Sequence, residues 1–145
     1  MSQKAEIRII RDKVQKLADQ IRGLDNGSHA EIRRGQINGE LWVLLSSIDE
    51  AKDDVGPWHI VVQCIAIAGQ NDVPFGLALR DIGLSDARIT RLLDAKPEAV
   101  PDMLLRIARR MTSQDVSADW TFAYRLMVTP DNDPRYHIAR KYYTN

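Results

Sequence analysis

At 145 residues, 44% of them apolar, the chain is the size of one domain, or of two small lobes sharing a core, and can fill that core. Lysine plus arginine and aspartate plus glutamate balance at 20 each, which argues against a free-standing, strongly nucleic-acid-binding protein of high pI and makes any phosphate binding local. One cysteine, Cys64, rules out an internal disulfide, and no CxxC or Cys/His cluster suggests zinc.

In chain order, Ile7, Ile10, Val14, Leu17, Ile21 and Leu24 alternate spacings of three and four, which predicts a helix from about Ala5 to Arg22 with one apolar stripe. Such a stripe packs either on the protein's own core or on another subunit. Gly23 ends the helix. Ser28 with Glu31 three residues later reads as a capping box, so a second helix is expected to start at Ser28 and carry Arg33 and Arg34 on its second turn. Two adjacent guanidiniums cannot both face a core, so at least one is offered to solvent, a carboxylate or a phosphate.

A short helix is expected around Glu40 to Ile48, followed by an acidic loop, DEAKDDVGP, that leads to Pro57, a natural first-turn residue. Trp58 to Ala68 is apolar almost all round, which marks a buried element; its β-branched residues leave a strand open, while its length, Pro57 and Gly69 favour a central helix. The longest apolar run, Ile60 to Gly69, is broken by Gln63 and is roughly half of the ~20 residues that a membrane span needs. The N-terminus, where charges alternate with isoleucines, does not read as a secretion signal. Together these features point to a soluble, cytoplasmic protein.

Five more helices are expected at about Phe75 to Ile82, Asp86 to Ala95, Pro101 to Ser113, Ala118 to Val128 and Pro134 to Tyr143. Ser85, Pro101, Ser117 and the Asp133–Pro134 pair mark their starts as N-cap or first-turn residues. No segment shows sustained strand alternation. The fold class is therefore all-α, with an N-terminal helical lobe over residues 1–72 and a C-terminal helical bundle over 73–145, the boundary falling at Gln70 to Pro74.

Enzyme signatures are missing. His29, His59 and His137 lie far apart, with no HExxH, no nucleophile elbow and no phosphate-cradling glycine loop, so no catalytic residue, metal or cofactor is assigned. Cys64, inside an apolar run, reads as an inert core thiol. The arginines carry more information. On a wheel of roughly 100° per residue, Met103, Leu104, Ile107, Ala108 and Met111 fill one arc and Arg106, Arg109 and Arg110 fall together opposite. In the preceding helix Ile89, Leu92 and Leu93 form the buried face and leave Arg88 and Arg91 outside. A charged face is often only a solvated one, but three arginine clusters with few lysines favour phosphate or carboxylate recognition.

FGLALRDIGLSDARITRLLDA, Phe75 to Ala95, also reads as a helix-turn-helix with Ser85, Arg88, Thr90 and Arg91 on its second helix, although a hairpin serving packing alone gives the same pattern.

Three separated segments resemble one family. LDNGSHAEIRRG, Leu24 to Gly35, is similar to the signature near the N-terminus of the CasB family, the small subunit of the type I-E CRISPR surveillance complex Cascade. The Phe75 to Ala95 hairpin, then DMLLRIARRM, then ADW at Ala118 to Trp120, follow the family's order and spacing. DPRYHIARKYY, Asp133 to Tyr143, resembles the closing helix of many members, with Ile138 where many place a tryptophan. Residues 36–72 match least.

The resemblance implies two small helical bundles without catalytic activity. It also implies partners: the backbone subunits, the large subunit and a second copy of the chain, together with crRNA-paired target DNA and the displaced strand. Arg33, Arg34, Arg88 and Arg109 are the arginines best matched to the family, and patch reasoning adds Arg91, Arg106, Arg110, Arg125, Arg140 and Lys141 as nucleic-acid contacts. The alternatives are a helix-turn-helix regulator and a helical adaptor without a nucleic-acid role. No membrane and no small-molecule substrate are expected.

Overall fold

A computed structural model describes residues 2–52 and 55–144. Among them the chain forms nine α-helices: α1 (Gln3–Arg22), α2 (Asn26–Arg33), α3 (Gly39–Ser47), α4 (Gly56–Ala68), α5 (Phe75–Asp81), α6 (Asp86–Asp94), α7 (Val100–Ser113), α8 (Thr121–Val128) and α9 (Asp133–Tyr143), with a 3-10 turn at Pro97–Ala99. The described residues hold no strand, only one isolated bridge between Gln70 and Ala118. The fold is all-α. Asp53 and Asp54 of the acidic loop lie outside the described residues.

The α1 stripe turns inward: Ile10, Val14, Leu17 and Ile21 are buried, and the helix packs on α3, α4 and α8 of its own chain. The near-continuous apolar run folds as α4, a helix and not a strand, with Pro57 in its first turn. Trp58, Val61, Val62, Cys64, Ile65, Ala66 and Ala68 are all buried, because α1, α2 and α3 cover one side of α4 and α7 and α8 the other. At roughly 1.5–3 kcal/mol per large apolar side chain removed from water, this helix is the main source of cohesion between the two halves of the chain.

Two helix starts are capped differently from the sequence reading. Helix α2 begins at Asn26, and Asp25 caps it by accepting the Ser28 amide at 2.7 Å; Glu31 instead accepts from Asn38 Nδ2 at 2.9 Å. A carboxylate makes a charge-assisted bond to a helix-start amide and complements the helix dipole, so it outcompetes the serine hydroxyl three residues later. Helix α8 begins at Thr121, not Ala118, and Ser117 is no cap: its Oγ donates to the Ala68 carbonyl at 2.6 Å. Residues 117–120 are held in a clasp with the segment that follows α4. There Asn71 N donates to Ala118 O at 3.1 Å, Asp119 N to Val73 O at 2.8 Å, and Trp120 Nε1 to Gly69 O at 2.8 Å.

Helices α5 and α9 approach closely at Gly76. At Gly76 a Cβ would overlap the Ile138 carbonyl, a backbone atom that cannot swing aside. Ile138 itself is fully buried, so this aliphatic side chain fills the place expected for a tryptophan. Gly76→Ala should therefore force α9 away from α5 and destabilise the fold by about 3 kcal/mol, an overpacking cost that also releases α9 contacts. Urea unfolding would show this as a lower midpoint, with Gly39→Ala, where a Cβ meets nothing within 4 Å, as the control.

Candidate nucleic-acid interface

The turn between α5 and α6 leaves the carbonyls of Ile82 and Gly83 at a helix end, where backbone acceptors need partners. Arg110 of α7 supplies them: its Nη2 donates to Ile82 O at 2.9 Å and to Gly83 O at 3.1 Å, and Gln114 Nε2 adds a bond to Ile82 O at 3.1 Å. This ties α7 to the α5–α6 turn and opens a cleft of about 240 Å³ between α6 and α7. Arg88 and Arg91 come from α6, Arg106 and Arg110 from α7; the first three are exposed and Arg110 is half-buried. Leu84, Leu92, Met103 and Ile107 make the floor, and no carboxylate lines the cleft. None of the four guanidiniums is in an ion pair among the described residues. Planar guanidiniums gathered without an internal counter-ion suit phosphate or carboxylate groups.

The sequence reading placed Arg106, Arg109 and Arg110 together, but the cleft takes only Arg106 and Arg110. Arg109 is exposed on the edge of α7 towards α4, near enough to Cys64 to oppose the upward push that burial gives the thiol. Arg33 and Arg34, both exposed, end α2 over the same helix: the Arg33 carbonyl accepts from Gln63 Nε2 at 2.9 Å. These two arginines therefore stand apart from the cleft. Arg140 is exposed on α9. Lys141 lines a second hollow of about 350 Å³ together with Arg11, His137, Asp72 and Asp119, where charges of both signs meet.

Arg125 does not lie on a patch. It is 2% exposed, its Nη1 donates to Asp133 Oδ2 at 2.5 Å, and its guanidinium lies 5.4 Å from the Phe122 ring centre. Six of the eight residues of TFAYRLMV are buried, Arg125 among them, so this arginine must find an internal partner. Arg125 is accordingly removed from the interface. Sequence reasoning also missed the cleft floor, since Leu84, Leu92 and Ile107 read as ordinary core; only the juxtaposition of α6 and α7 shows that their edges line a hollow.

The described residues hold no group of three or more His, Cys, Asp or Glu side chains placed to bind a metal, and no helix among them is long and apolar enough to cross a membrane. The family model for CRISPR-associated protein Cse2 matches residues 28–143, most of the chain. The chain belongs to the Cse2 family. That family, also called CasB, is the small subunit of type I-E Cascade, so the protein is a CRISPR Cascade subunit. Comparison with curated proteins and with solved structures gave no match. The matched span holds the whole cleft, and α1, which precedes it, contributes core.

The buried ion pair generates a stability test. Asp133→Asn removes the charge that balances the buried Arg125 guanidinium and should cost about 1–3 kcal/mol. Arg125→Met, which keeps apolar contacts and leaves the 38%-exposed Asp133 side chain open to water, should cost less. Neither change should act through DNA contacts, which urea unfolding and DNA binding measured side by side would show.

His137 stacks on Phe122 with ring centres 3.6 Å apart, and its Nδ1 is buried without a hydrogen-bond partner. Burial, then the nearby Lys141 and Arg140, lower its pKa from 6.5 to about 4. The folded state thus keeps the ring neutral where the unfolded chain takes a proton, so this contribution to stability is complete above pH 6.5 and is lost as pH falls towards 4. The urea midpoint should drop between pH 7.5 and 5, and His137→Gln should flatten that drop. Part of it should persist, because burial lowers His29 and His59 as well.

Proposed function

We propose that this subunit is non-catalytic and cytoplasmic, and that it steadies opened target DNA in Cascade. The α6–α7 cleft would hold displaced or target strand, and the arginines closing α2 would face either DNA or a neighbouring subunit. In this reading the lobes over residues 1–72 and 73–145 share α4, no cofactor is needed, and the partners are the backbone subunits, the large subunit and a second copy of the chain. Arg109, Arg140 and Lys141 remain secondary candidates for DNA contact.

The observation that carries the reading is the cleft itself: four arginines from two helices around one hollow, with no carboxylate in its lining. Exchange of a DNA duplex for an RNA–DNA heteroduplex is nearly balanced in free energy, so modest contacts to a separated strand can tip it. A subunit held in place by neighbours meets DNA at high effective concentration and needs little intrinsic affinity. The regulator alternative is less well supported, because the family model that covers most of the chain is that of a Cascade subunit. Arg88 and Arg91 of α6 turn to the α7 side, while Arg135 and Tyr143 of α9 bond Leu93 O and Asp86 on the other.

Arg88→Ala, Arg91→Ala and Arg106→Ala combined remove solvent-facing charge and leave the Arg110 anchor intact, so the fold should survive within about a kcal/mol per site. Cascade reconstituted with this variant should assemble with normal subunit content by native mass spectrometry. Its R-loops, mapped by permanganate reactivity, should be less complete, and the deficit relative to the wild type should shrink as salt rises, because the variant lacks the phosphate contacts that salt erodes. Unchanged R-loops at every salt concentration would refute the assignment of the cleft. For Arg33→Ala with Arg34→Ala, loss of assembly marks a protein contact and loss of R-loops alone marks DNA.

A further inference from the structure

We propose that the α6–α7 cleft seats one unstacked base of a single strand, with the phosphates on either side of that base held by the opposing arginine walls; this rests on the nucleic-acid reading above. The cleft is layered as cation, apolar surface, cation: Arg88 and Arg91 on the α6 wall, Arg106 and Arg110 on the α7 wall, and Leu92, Met103 and Ile107 between them. In a single strand each base hangs from a sugar that lies between two phosphates, so a base lowered to the floor leaves a phosphate towards each wall. Isolated phosphates would need the walls and leave the floor unused. A carboxylate-bearing peptide would offer anions without a flat apolar group set between them.

Size agrees with this match. The hollow of about 240 Å³ has room for one nucleobase laid on its floor. Duplex DNA offers no base to the floor, since its bases are paired and stacked inside the helix. Guanidiniums stack on base faces as well as pairing with phosphate, and every base has such a face, so seating should be tolerant of sequence. Arg110 is pinned by the Ile82 and Gly83 carbonyls, which gives the seated base one fixed wall, whereas the exposed Arg88, Arg91 and Arg106 can follow the backbone.

The test compares two probes on the full-length chain at low salt: a single-stranded oligothymidylate, and a strand of equal length and charge in which tetrahydrofuran abasic sites replace the bases. Fluorescence anisotropy should give about tenfold tighter binding of the natural strand, the range of one base-stacking contact. Met103→Gln makes the floor polar without changing charge, and Met103→Phe narrows the hollow while keeping it apolar. Each should bring the natural strand down to the abasic level and leave abasic binding unchanged, with thermal unfolding confirming that both variants fold.

Arg88→Ala with Arg106→Ala should weaken both probes alike. Equal binding of the two probes by the wild type would overturn base seating while leaving the phosphate reading intact. A preference for the natural strand that survives both Met103 variants would place the base elsewhere and overturn the proposal. Binding of neither probe, with binding of an oligoglutamate peptide instead, would defeat both this proposal and the nucleic-acid reading beneath it.

Discussion

The fold turns on a single buried carboxylate. Asp119 Oδ1 accepts from Gln70 Nε2 at 3.0 Å and from the amide and hydroxyl of Thr121 at 3.0 and 2.6 Å, while Oδ2 accepts from Arg11 Nε at 3.1 Å. A carboxylate that is 9% exposed must have its lone pairs filled, and here the donors come from α1, from the segment after α4 and from the start of α8. Filling them therefore fixes three elements that are distant in sequence. Trp120 completes the lock: its amide bonds Gln70 Oε1, its indole bonds Gly69 O, and its ring lies 5.3 Å from Phe75 at the start of α5. The Asp-Trp pair is thus a structural device, and it explains why the Ala118 to Trp120 segment carries part of the family resemblance.

The cleft rests on this scaffold. Helix α7 is laid against α4, and α9 against α5, by buried apolar surface. Between those two contacts the turn from Ile82 to Leu84 is gripped from both sides, by Arg110 and Gln114 of α7 and by the Tyr142 hydroxyl of α9, which donates to the Leu84 carbonyl. A turn whose backbone acceptors are taken up by side chains of two neighbouring helices cannot drift, so the distance between the arginine walls is set by hydrogen bonds to backbone and not by the arginines' mutual repulsion. Arginine serves twice in the same hollow, once as a backbone partner and once as free charge.

Periodicity and punctuation made most of the fold legible. The α1 stripe, the Ser85 cap, the proline starts of α4, α7 and α9 and the all-apolar α4 are local signals, and the helices stand where those signals put them. Competition was harder to read. Two candidate caps for α2 lay three residues apart, and the anionic Asp25 prevailed; Ser117 looked like a cap but was taken by a distant carbonyl. For the site, a helical wheel separates inside from outside yet does not show which neighbour an outer residue meets, so it grouped Arg109 with Arg106 and Arg110. Arg125 could have been found, since an arginine amid TFAYRLMV with an aspartate eight residues on has the pattern of an internal ion pair. The concavity itself comes from the meeting of helices and has no counterpart in local sequence.

A four-arginine hollow on a chain whose charges cancel has a kinetic consequence. Beyond a Debye length of about 8–10 Å at working ionic strength its positive potential is screened, and the surrounding carboxylates cancel what remains, so no far-reaching field draws nucleic acid in. Free nucleic acid would therefore not be steered towards the subunit from a distance. On the proposed function, the cleft would act only at contact range, on a strand already delivered to its mouth, and its occupancy would follow the geometry of delivery more closely than the bulk concentration of nucleic acid.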